Sequence, residues 1–98
     1  MRFVQIIKLS TDRADEIEAL HDEWRAATEG QRTALRQLVC EDRDHPGDFY
    51  VIVEVADRLA AEQNDQLPAT GQVAGRIAEL ATAGPEFVNL DVRRLDED

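Results

Sequence analysis

Six side chains in this sequence are of types and at spacings that could do chemistry: His21, Trp24, Gln37, Tyr50, Glu54 and Asn64. Glu54 closes the apolar run Phe49-Tyr50-Val51-Ile52-Val53-Glu54-Val55 and shares the face of Tyr50 and Ile52. A carboxylate taken out of water there has a raised pKa and becomes a proton acceptor of useful strength. Its structural alternative is an ion pair across the sheet with Arg36. His21 and Trp24 are three residues apart in a helical pattern and are therefore neighbours on one face. Trp24 has the core-facing phase, and His21 borders that stripe as an acid–base group beside a pocket or as a half-exposed surface histidine. Gln37, like Gln5, interrupts an otherwise apolar strand face. A buried amide must find partners, so it contacts either a ligand or a neighbouring backbone group. Asn64 stands before Asp65-Gln66-Leu67-Pro68, where irregular backbone lines a pocket or simply turns. His45, in a loop beside Pro46, reads as solvated. Cys40 has no histidine placed to activate it as a nucleophile.

No pair of histidines has metal-ligand spacing, and no glycine-rich phosphate loop or GxSxG elbow is present, so no metal or cofactor is expected. The 98 residues carry 11 Lys and Arg against 21 Asp and Glu, a net charge of −10. Such an acidic chain is a poor partner for nucleic acid or an anionic membrane. No apolar run is long enough to span a bilayer, and the start enters a strand pattern at once. One cysteine excludes an internal disulfide. A single cytoplasmic domain over residues 1–98 is the expectation. At 11.0 kDa it should expose roughly 5,600 Å² once folded.

The elements that must position these groups follow from periodicity. Arg2 to Leu9 is a strand with Phe3, Gln5, Ile7 and Leu9 on one face and Val4 and Ile6 on the other. Ser10-Thr11-Asp12 supplies cap chemistry for a helix from about Ala14 to Thr28, with Ile17, Leu20, Trp24 and Ala27 as its apolar stripe. Ala34 to Asp42 and Phe49 to Val55 form a hairpin around Arg43-Asp44-His45-Pro46-Gly47. Placing Asp42 opposite Asp48 pairs Leu35 with Val55, Gln37 with Val53 and Val39 with Val51 on the core face. Arg36 with Glu54, Leu38 with Ile52 and Cys40 with Tyr50 then share the other. A second helical region is broken, with a short turn from Arg58 to about Gln63, an interruption at Leu67-Pro68, and helical spacing from Thr70 to Ala81. Glu86 to Leu95 alternates, with Phe87, Asn89 and Asp91 expected on the face away from the helices.

The order β-α-β-β-α-β predicts an α+β fold of the ferredoxin-like kind, an antiparallel four-stranded sheet with two helices on one face. The uncovered face, with Val4 or Ile7, Leu38, Ile52 and Phe87, would be wet in a monomer. A symmetric homodimer with sheets face to face is the expected remedy.

With that order, the length, and the stretch from Phe49 to Val55 followed by Ala60-Ala61, residues 2 to 95 resemble the dimeric α+β barrel superfamily, close to antibiotic biosynthesis monooxygenase-like domains. Glu54 is similar to the Glu that ends this strand in quinol monooxygenase-like and signal-degrading members, and Asn64 stands where those relatives commonly have a His four residues before a Pro. The resemblance implies cofactor-independent oxygenation of a small aromatic or quinol-type molecule. Glu54 and His21 would be the acid–base groups; Asn64, Tyr50, Trp24 and Gln37 would contact the substrate. The alternative is a non-catalytic binding or accessory protein of the same fold. The haem-degrading branch does not fit, because no His follows His45 and no Trp follows Trp24.

Overall fold

The computed structural model describes residues 1–98. The chain runs β1 (Phe3–Ser10), α1 (Ala14–Ala27), β2 (Ala34–Glu41), β3 (Asp48–Val55), α2 (Arg58–Asp65), α3 (Pro68–Leu80) and β4 (Ala83–Asp91). The four strands form one antiparallel sheet in the order β2-β3-β1-β4. This is the expected ferredoxin-like α+β arrangement, with three helices rather than two. The broken helical region is two helices, because Pro68 cannot donate a helical hydrogen bond but fits the first turn of α3. No helix is long and apolar enough to cross a membrane.

The hairpin register is as expected from Arg36 opposite Glu54 to Glu41 opposite Phe49, and the Asp42 N–H donates to the Asp48 carbonyl at 2.8 Å. Leu35 does not pair with Val55. Ala34 does, and a bulge before Arg36 leaves Leu35 exposed while the smaller Ala34 packs beside Val55. Thr11 joins the start of α1 to the end of α3: its Oγ1 accepts from the Arg13 N–H at 3.0 Å and donates to the Leu80 carbonyl at 2.9 Å.

Strand β4 begins at Ala83 and ends at Asp91, earlier at both ends than its alternation suggests. Its register sets Phe87 opposite Ile7, Asn89 opposite Gln5 and Asp91 opposite Phe3. Directly opposed residues point to the same side of a sheet. Phe87, Asn89 and Asp91 therefore lie on the helix-bearing face, not the bare one as expected, and Gln5 Nε2 donates to Asn89 Oδ1 at 3.2 Å.

The core is small. Phe3, Val53, Val55 and Ala61 form a buried cluster where α2 meets the sheet, and Ile17, Leu20 and Trp24 are the buried residues of α1. Helix α3 has no fully buried residue, and Ala27 gives way to Thr28 as the last buried position near the end of α1. The bare face carries Val4, Ile6, Leu38, Ile52, Val88 and Leu90, with Leu38 and Leu90 about 40% exposed. The isolated chain exposes 6751 Å², about a fifth more than the roughly 5,600 Å² usual for its mass.

Candidate functional site

Helices α1 and α3 pack on each other above the sheet and leave a cavity of about 130 Å³ beneath them. Its floor is the helix-bearing face of the sheet, with Ile7, Val39, Val51 and Val53, and its roof includes Ile17, Val73 and Ile77. Pro85 and Phe87 close one side from β4. The walls are mainly apolar. An apolar cavity of about 150 Å³ holds a benzene ring, so this one suits a single aromatic ring with its substituents reaching the mouth.

A chain of hydrogen bonds joins the three helices at the cavity wall. The indole Nε1 of Trp24 donates to Thr70 Oγ1 at 2.8 Å, and that hydroxyl donates to the Asn64 carbonyl at 2.8 Å. The buried Asn64 side chain accepts the Thr33 N–H at 3.3 Å through Oδ1. His21 lies with its ring centroid 5.8 Å from that of Trp24, and the Arg32 guanidinium is 5.7 Å from the Trp24 ring. Arg32 is itself held by the Arg25 carbonyl at 2.6 Å. Burial, with help from the charge of Arg25, holds His21 below its ordinary pKa, so its imidazole is neutral at pH 7 and able to take a proton. Asp65, also in the wall, is pushed above the usual carboxylate range by burial and then by Glu62. Gln37 Oε1 is buried with no hydrogen-bond partner.

Of the six residues singled out in the sequence, His21, Trp24, Gln37 and Asn64 meet around this cavity. Glu54 and Tyr50 do not. The alternation that buries Val53 and Val55 under the helices sends Tyr50, Ile52 and Glu54 to the bare face. There the Glu54 carboxylate accepts from Arg36 Nε at 2.7 Å and Nη2 at 3.1 Å, and Lys8 Nζ is 5.7 Å from the Tyr50 ring centroid. The ion pair weighed against a catalytic Glu54 is thus the one that forms. Thr70 escaped the sequence reading, although a buried indole N–H requires an acceptor and Thr70 follows closely on the helix break. Phe87 escaped because its face depended on the β4 register. No three His, Cys, Asp or Glu side chains converge as a metal site would require.

No protein-family profile matches this chain, and no curated protein matches it in sequence. Solved structures do match its fold. SnoaB, a cofactor-independent oxygenase from Streptomyces nogalater, superposes with a TM-score of 0.80 at 17% identity, over 96% of this chain and 95% of that one. A protein from Caulobacter crescentus, provisionally named an antibiotic biosynthesis monooxygenase, gives 0.82 at 14% identity, over 95% and 91%. One from Deinococcus radiodurans with the same provisional name gives 0.79 at 21%, over 100% and 98%. The fold is that of the antibiotic biosynthesis monooxygenase-like proteins.

Proposed function

We propose that this protein is a cofactor-independent oxygenase acting on a small, electron-rich aromatic or quinol-type molecule held in the cavity under α1 and α3. One observation carries the reading: an apolar cavity sized for a ring, with the neutral imidazole of His21 in its wall beside Trp24. His21 removes a proton from the bound aromatic. The resulting carbanion gives its electrons to oxygen and a C–O bond forms; the His21 imidazolium returns the proton to the peroxide anion, which leaves as water with the hydrogen remaining on that carbon, and a carbonyl results. The ring substrate is thereby its own reductant. Trp24, Thr70 and Asn64 fix the wall against which the ring lies. Glu54, paired with Arg36 on the far face, is left out of the chemistry. The similarity in fold to a cofactor-independent oxygenase supports this choice of reaction. A second copy of the chain covers the bare face of the sheet.

Oxygen uptake with a panel of hydroquinones tests it. Wild-type protein should consume oxygen, His21→Gln should be slower by about 100-fold, and Glu54→Gln should stay close to wild type. Ring binding without uptake by any of the three would replace the oxygenase with a binding protein. Uptake unaffected by His21→Gln would remove the imidazole from the mechanism.

A further inference from the structure

We propose that Gln37 selects the ligand: its buried, unpartnered Oε1 requires a hydrogen-bond donor, so the cavity takes neutral aromatic molecules bearing a hydroxyl or N–H and rejects carboxylates. The inference rests on the cavity's being an aromatic-binding site, and adds which substituent the ring must carry.

A buried polar atom without a partner forfeits its bonds to water and gains nothing in return, so native proteins hold few of them. Gln37 is held in the middle of β2, opposite Val53 and between the pairs Leu38–Ile52 and Arg36–Glu54, so strand pairing fixes its direction. Three donors along the wall bond elsewhere. Trp24 Nε1 donates to Thr70, the Thr70 hydroxyl to Asn64, and Gln5 Nε2 to Asn89. None reaches Gln37 Oε1, and the group best suited to do so is one that arrives with the ligand.

Charge sharpens the selection. The wall includes Glu18 and Asp65 but neither Lys nor Arg, in a chain of net charge −10. A carboxylate would bring a third negative charge to a cavity without a cation and would face the Gln37 carbonyl oxygen with another acceptor. A phenol-like hydroxyl satisfies Oε1 while its ring meets Ile7, Val51 and Val53.

The test is a titration of the full chain, labelled with nitrogen-15, with 4-methylphenol, 4-methylanisole and 4-methylbenzoate at pH 7. The indole N–H of Trp24, the chain's one tryptophan, is the reporter. The phenol should bind about tenfold more tightly than the ether, the value of one hydrogen bond to a buried acceptor, and the benzoate should leave the signal in place. Gln37→Met, close in shape, should lose the preference between phenol and ether. Because it removes an unpartnered atom, it should also melt above wild type without ligand. Equal or tighter binding of the ether, binding of the benzoate, a preference retained in Gln37→Met, or a lower melting temperature in that variant would each overturn the selection by Gln37. If none of the three compounds moves the Trp24 signal, the aromatic-binding reading itself fails. That result differs from binding without discrimination.

Discussion

His21 and Asp65 line one cavity and are shifted in opposite directions, each toward its neutral form. For Asp65 the folded-state pKa is raised, so its contribution to stability is fully present below the ordinary carboxylate value and is lost as pH rises through the raised one. Asp65→Asn should therefore melt slightly above wild type at pH 7 and no differently near pH 3, in paired thermal denaturation curves. His21 behaves in the reverse sense with pH. Its folded-state value lies below 6.5, so the stability it permits is complete above 6.5 and is lost as pH falls through the lower value. Much of this site was legible in single residues. The spacing of His21 and Trp24, the interruption at Gln37 and the position of Asn64 before a helix break all survive into the cavity. Glu54 and Tyr50 lie on the face that alternation had already set away from the helices; they entered as candidates through the chemistry of their side chains and the family resemblance, not through their place in the sheet.

Glycine at two places in the fold does opposite things. Gly84, in β4, has φ of +82°, and a Cβ there would lie 2.6 Å from the Lys8 carbonyl oxygen on β1. Gly84→Ala should cost about 1–3 kcal/mol, measured by chemical denaturation, because both the backbone and the close approach resist a side chain. Gly71 and Gly75, exposed on α3, would meet nothing within 4 Å. Changing either to Ala should stabilise by about 0.5–1 kcal/mol through helix propensity alone. At this scale the hairpin register was readable because Asp42 and Asp48 flank a turn-forming loop, and the helix break was readable from Pro68. The start of β4 was not. Gly84-Pro85 looks like a terminator of the preceding helix, yet Ala83 pairs with Ser10, and a register shift between Lys8 and Ser10 accommodates the early start. That pairing between distant segments decides where Phe87 and Asn89 point.

The whole molecule exposes roughly 1,100 Å² beyond what its mass predicts, comparable with the roughly 800 Å² that one partner buries in a standard interface. The apolar bare face, from Val4 and Ile6 to Leu38, Ile52, Val88 and Leu90, is where a second copy would recover it. Light scattering should give twice 11.0 kDa for wild type and 11.0 kDa for Ile52→Glu, with a wild-type melting temperature that rises with protein concentration. A wild-type mass of 11.0 kDa in dilute solution would dismiss the pairing. The four strands hold one another through three backbone ladders, whereas α3 buries no residue completely and is tethered by Thr11 to Leu80 at one end, Thr70 to Asn64 at the other, and Arg76 to Glu23 of α1 between them. Lifting that helix costs less than parting the strands. In hydrogen exchange the rafter should therefore loosen first, the α3 amides giving up their protons while the floorboards of the sheet keep theirs.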